Sequence, residues 1–176
     1  AVPKMPKPQV KPVKPEPTRK PAVVKLAGWP FGEDEARKRQ AAKPSAMTVE
    51  LGGGVTMKLV RIPAGRFVMG DANGEPDEHP LAAVAIDRDF WMGTCEVTNA
   101  QFRRFDPKHR TGYFMKRYPS GDGPGLSLDA AGQPVVRVSW QQAMAFCGWL
   151  SEKTGRRFTL PTESQWEYAC RAGTDS

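Results

Sequence analysis

Cysteine and histidine are scarce in this chain. Its 176 residues hold three cysteines and two histidines. Cys95, Cys147 and Cys170 stand 52 and 23 residues apart, so none forms the close thiolate pair that selects a soft metal. All three are expected to be small core thiols. His79 and His109 are thirty residues apart without a partner pattern, which makes each a loop histidine and not a zinc ligand. No apolar run approaches the length of a transmembrane helix. Gly52-Gly53-Gly54 lacks the Lys-Ser/Thr of a phosphate loop. Asp71-Ala72-Asn73-Gly74-Glu75 has its glycine misplaced for a calcium loop and reads as an acidic surface turn. No Ser-His-Asp arrangement can be argued. No signal peptide is visible, yet the chain begins with Ala1 and not Met. A cleaved leader or an excised fragment fits that start, as does an exported or cell-envelope location, and localisation stays unassigned.

Positive charge is abundant but uneven. Lys4, Lys7, Lys11, Lys14, Arg19, Lys20 and Lys25 face a single acid, Glu16, in the first 25 residues. That segment carries +6 of the chain's formal +7, and the rest is close to neutral. Seven prolines from Pro3 to Pro21 alternate with the lysines. Such a stretch cannot bury enough apolar surface to offset its ordering entropy, so residues 1–28 are expected to be a disordered, extended tail. It has no aromatic for base stacking and no apolar face for lipid, which favours a linker over a nucleic-acid or membrane ligand. Residues 29–46 follow as a short charged helix and linker. Trp29-Pro30-Phe31 is an apolar plug, and Glu33/Arg37, Asp34/Lys38 and Glu35/Arg39 are acid-first pairs four residues apart. The expected object is a solvated helix hung on an aromatic anchor, a docking arm and not a catalytic element.

Residues 47–176 are long enough for one domain with a real core. Three helix starts share one grammar. Thr98, Ser139 and Thr162 each stand three residues before a glutamine, at Gln101, Gln142 and Gln165, as in a capping box. In the first helix Val97 and Phe102 are placed as a hydrophobic staple, Phe105 extends the buried face, and Asp106-Pro107 ends it. In the second, Trp140, Ala143, Cys147 and Leu150 form an apolar stripe widened by Phe146 and Trp149, and Gly155 is the stop. In the third, Trp166, Ala169, Cys170 and Gly173 fall on one face. There Glu163 and Glu167 lie toward the positive helix end, Arg171 pairs with Glu167, and Gly173 is the expected stop. Val55–Ile62, Phe67–Met69, Ala83–Asp87, Phe90–Met92 and Phe158–Leu160 are strand candidates. Pro107 to Pro134 reads as one long loop. Together these predict an irregular, loop-rich α+β domain.

Four blocks in order carry more than local physics. They are Gly65-Arg66-Phe67-Val68-Met69-Gly70, Glu96-Val97-Thr98-Asn99-Ala100-Gln101-Phe102, Pro134 to Trp140 with Ala143 and Phe146-Cys147, and Leu160-Pro161-Thr162-Glu163 with Trp166-Glu167-Tyr168 and Arg171. This set resembles the sulfatase-modifying factor family, the formylglycine-generating enzymes and their relatives. The resemblance implies an α+β, C-type-lectin-like fold, incomplete at the C-terminus, with residues 47–176 as the N-terminal part of the domain. Its motif positions here are Gly70, Glu96, Thr98, Asn99, Ser139, Trp140, Cys147, Leu160, Pro161, Thr162, Glu163, Trp166, Glu167 and Arg171, all taken as structural. No catalytic, cofactor-binding or metal residue is assigned.

The chemistry implied by the resemblance is oxidation of a cysteine in a sulfatase-type protein substrate to formylglycine, using dioxygen and copper. The family's two copper cysteines lie beyond the Trp166 block, so copper is expected for a complete member and not for these residues. Cys147 and Cys170 match positions that in some members form disulfides to cysteines of the later half, and Cys95 falls where another residue is usual. The partner expected for this half is the missing C-terminal half of its own domain. Without it the Trp140, Trp149 and Trp166 stripes should face solvent. The alternative is a non-catalytic, lectin-like binding or scaffolding module of a larger protein. A third reading, a sulfoxide-synthase-like iron enzyme, needs an iron-binding domain that this chain lacks.

Overall fold

The computed structural model describes residues 24–41, 45–114 and 125–175. The Lys/Pro-rich tail before Val24 and the middle of the Pro107–Pro134 loop lie outside those residues. In chain order the elements are helix α1 (Glu33–Ala41), strands β1 (Ala46–Gly52), β2 (Val55–Ile62), β3 (Gly65–Met69), β4 (Ala82–Ile86) and β5 (Phe90–Gly93), helix α2 (Asn99–Phe102), strands β6 (Tyr113–Phe114) and β7 (Leu126–Ser127), and helices α3 (Trp140–Thr154) and α4 (Glu163–Arg171). The strands pair antiparallel as β1-β2-β5, β3-β4 and β6-β7. Among the described residues the result is a mixture of short helices and strands with no closed barrel.

Two apolar clusters organise it. The first packs one face of β1 and β2 against α2 and α3. It joins Val49, Leu51, Met57, Leu59, Phe102, Phe146 and Leu150. The period-two burial of β2 puts Met57, Leu59 and Arg61 inward together. The second cluster is aromatic: Trp29, Phe67, Ile86 and Tyr168. Trp29 stands edge-on to Phe67 at 5.9 Å, and Phe67 leans on Tyr168 at 5.3 Å, geometries that favour the ring quadrupoles.

The helix starts follow local chemistry. Thr98, Ser139 and Thr162 each accept from the backbone N–H three residues on, and Gln101, Gln142 and Gln165 return the bond to the cap's own N–H. Gly155 closes α3 in the left-handed region at φ 66°. Helix α1 has no buried residue and carries the Glu33–Arg37 and Glu35–Arg39 pairs.

Several expectations need correction. Phe158–Leu160 joins no ladder among the described residues, because no strand lies beside it there. The left-handed residue that ends α4 is Ala172, at φ 48°, and Gly173 follows it. Helix α2 lasts one turn, so Phe105 reaches the first core from the turn after it. Strand β1, absent from the sequence reading, supplies Val49 and Leu51 to the core. Trp149 packs on Phe146 and Phe105, so it does not stand free in solvent as expected. On α4 the expected Trp166 stripe faces solvent, and the side turned into the core is the one that carries Tyr168. Tyr168 is buried, whereas Trp166 and Cys170 are exposed. Helical spacing marks a stripe but cannot say which stripe finds a neighbour.

Candidate functional site

The motif positions gather into two polar nodes and one groove. The first node joins residues 101 positions apart in the chain. Gly70 ends β3 at φ 93°, and a Cβ there would sit 2.3 Å from the Glu78 carbonyl oxygen, so only glycine fits. Its N–H donates to Glu167 Oε1 at 2.8 Å, and its carbonyl accepts from Arg171 Nη2 at 2.7 Å. Arg171 Nε also donates to Glu167 Oε1 at 2.8 Å. One carboxylate and one guanidinium on successive turns of α4 thereby hold both backbone groups of Gly70.

The second node centres on Asn99, fully buried at the start of α2. Its Nδ2 donates to the carbonyls of Leu128 at 2.7 Å and Ala130 at 2.9 Å, and its Oδ1 accepts from the buried Thr111 hydroxyl. Asp129 sits beside it, taking the Thr111 N–H at 2.8 Å and Arg103 Nη2 at 2.7 Å. The Thr111 amide, with help from Arg103, holds the Asp129 carboxyl below the usual carboxylate range. Gln101 ties α2 to β2 by donating to the Thr56 carbonyl at 2.9 Å. His109 stacks edge-on against Phe102 at 4.9 Å, with Nε2 3.1 Å from the Val136 carbonyl oxygen. It stands in a loop, as expected, but its ring is buried against the first core.

The groove is the third feature, with a cavity volume of about 1070 Å³. Met57, Leu59 and Phe102 form its floor. One wall is Phe90 to Val97, and the other is the first half of α3, with Trp140, Ala143, Phe146 and Cys147. Arg156 to Pro161 and the start of α4, with Gln165 and Trp166, complete the rim. Most of the lining is apolar, with Glu96, Arg156 and Arg157 as its charges. Trp140 is 66% exposed and Trp166 is 60% exposed, so two indoles stand open beside an apolar floor.

Of the fourteen motif positions, Glu96, Ser139, Trp140, Cys147, Leu160, Pro161 and Trp166 line the groove. Gly70, Glu167 and Arg171 make the first node, Asn99 anchors the second, and Thr98 and Thr162 are caps. Glu163 opens α4 on the surface. Sequence reasoning missed Arg61, Thr111, Arg103 and Asp129. The signal for Arg61 was there, because a charge in phase with Met57 and Leu59 on a half-buried strand must find partners inside.

The cysteines do not behave as three core thiols. Cys147 is buried, and burial pushes its thiol above the ordinary value. Cys95 and Cys170 are exposed. All three are free, and Cys95 and Cys147 line the same groove. Copper would need soft ligands converging on a point. Among the described residues no group of three or more His, Cys, Asp or Glu does so.

Comparison with known proteins is consistent with this layout. Residues 46–176 match the model of the Sulfatase-modifying factor enzyme 1-like domain. A bovine (Bos taurus) protein named inactive C-alpha-formylglycine-generating enzyme 2 is 32% identical over 169 residues, covering 73% of this chain and 54% of the relative. A formylglycine-generating enzyme from Bos taurus is 34% identical over 158 residues, covering 66% of this chain and 40% of the relative. Among solved structures, PvdO from Pseudomonas aeruginosa superposes with a TM-score of 0.58 at 26% identity, over 76% of this chain and 54% of the other. The chain spans about half the length of the curated relatives it matches.

Proposed function

The chain belongs to the sulfatase-modifying factor family, and from that membership we propose that residues 46–176 are the scaffold half of a domain that oxidises a protein cysteine to formylglycine. The single observation that carries the reading is the groove. Its open indoles, Trp140 and Trp166, sit on the two helices that bear the later motif blocks, and the chain spans about half the length of its relatives. An apolar surface of that kind is covered in a finished protein. The groove is then the face on which the rest of the domain seats, and the substrate is a sulfatase-type polypeptide presenting its cysteine.

In this reading the chain's own residues position and do not react. Glu167 and Arg171 fix the end of β3, Asn99 fixes the loop after β7, and the caps set where the groove helices begin. Copper, when bound by a complete member, supplies dioxygen activation. The full reading frame that contains this chain is tested with a Cys-x-Pro-x-Arg peptide in air, with copper supplied. An aldehyde detected by mass and by hydrazide labelling is expected, with residues 1–176 alone inert. A full-length protein that binds no copper and leaves the thiol intact overturns the proposal.

A second reading has its own support. A relative whose name declares it inactive matches about as well as one named as the enzyme. The chain would then belong to a binding or scaffolding module with the same groove. That module would retain a sulfatase-type peptide without changing its mass.

A further inference from the structure

The N-terminal arm, residues 24–41, lies outside the family-matched residues 46–176, yet it reaches the centre of the second core. Trp29 is only 9% exposed and shares that cluster with Phe67, Ile86 and Tyr168. Two further contacts tie the arm to the domain, and one braces it internally. The Phe31 N–H donates to the Gly173 carbonyl at 2.9 Å, just past the end of α4. The Arg39 guanidinium lies over the Phe31 ring, 4.0 Å from its centroid. From β2, the buried Arg61 donates to the carbonyls of Arg39 at 3.2 Å and Gln40 at 2.8 Å, at the open end of α1, while pairing with Asp89 at 2.9 Å. Those bonds satisfy helix-end carbonyls that have no intrahelical partner.

We infer that this arm is a clamp that sets the shape of the apolar groove from behind. One groove wall and the α4 part of the rim rest on the cluster that Trp29 completes. Helix α4 turns Tyr168 into the cluster and, two residues earlier, presents Trp166 to the groove. Strand β5 starts at Phe90, which packs on the same cluster and also lines the groove. Arg61 stands opposite Trp91 in the β2–β5 ladder, so the arm's helix end is tied to the same wall. The opposite wall, α3, belongs to the first cluster and has no part in the arm. A docked arm therefore holds one side of the groove against the other, whatever ligand the groove takes. An arm drawn away through the segment before it would free α4 and β5 and leave α3 in place.

Hydrogen exchange on the full chain separates this from ordinary stabilisation, because elements that open locally exchange independently of the rest. In Trp29→Ala, amides of α4 and β5 are expected to exchange at least about tenfold faster, with those of α3 and β1 unchanged. Phe31→Ala keeps the indole and should show the same pattern at smaller size, which leaves the question decidable if the first variant unfolds. A uniform rise across all elements in Phe31→Ala, or unchanged α4 and β5 in both variants, overturns the inference.

Discussion

The Gly70 clamp offers the sharpest test of how the motif residues work. In Glu167→Ala the Gly70 N–H loses its acceptor, and the Arg171 guanidinium keeps only the Gly70 carbonyl. The Arg171 and Glu167 side chains are 13% and 19% exposed, respectively. Breaking one partner of a fully buried pair costs about 3–5 kcal/mol, and partial exposure lowers that to about 2–3 kcal/mol. For a domain of this size each kcal/mol moves Tm by about 3–4 °C, so Tm should fall by roughly 6–12 °C. Glu167→Gln keeps an oxygen for the Gly70 N–H and should lose about half as much. Arg171→Met alone should match Glu167→Ala, and the double variant should be little worse than either, with a coupling of about 1.5–3 kcal/mol. Urea midpoints with constant slope would measure it. Additive losses, or a loss in Glu167→Ala below about 0.5 kcal/mol, would refute the clamp.

Other outcomes follow from the same structure. Asn99→Leu leaves two carbonyls and the Thr111 hydroxyl buried without their partner and should cost about 3 kcal/mol by urea denaturation, whereas a loss near zero would mean the node is relaxed by other donors. Burial raises the Cys147 thiol above its ordinary 9.0 and the Tyr168 phenol above its ordinary 10.0, with Arg39 opposing and Asp89 adding to the second shift. A raised native pKa means that the native state holds its proton longer, so stability is intact below those ordinary values and falls as pH climbs through the raised ones. Melting curves from pH 8 upward should show that fall, Cys147→Ala should remove part of it, and a flat profile would contradict the burial. Trp140→Ser with Trp166→Ser should cut binding of an apolar dye and aggregation while moving stability by no more than about 0.5 kcal/mol, as exposed positions do. A large loss of Tm would place those indoles in a core.

The sequence made some elements plain and hid others for identifiable reasons. The capping boxes at Thr98, Ser139 and Thr162 were legible because cap and partner lie three residues apart and need nothing else. The alternation of β2 was equally plain. Strand β1 carried a similar alternation through Met47, Val49 and Leu51 and could have been read the same way. Phe158–Leu160 had the pattern of a strand, but a ladder needs a neighbour, and none of the described residues provides one. The groove was foreshadowed only in part. Exposure of Trp140 and Trp166 followed the expectation, whereas Trp149 found Phe105 and Phe146 and became part of a core.

By itself the sequence determined where helices begin, which family the ordered blocks belong to, and where the positive charge lies. Each of these depends on residues close together in the chain or on their order along it. Tertiary structure decided which side of α4 faces inward, why Gly70 must be glycine, and how an arm from residue 24 onward props a groove built mostly after residue 90. Those outcomes rest on contacts between segments that are neighbours only once folded. A side chain's pattern sets what it can bury, but the surface it meets exists only after the rest of the chain has arrived.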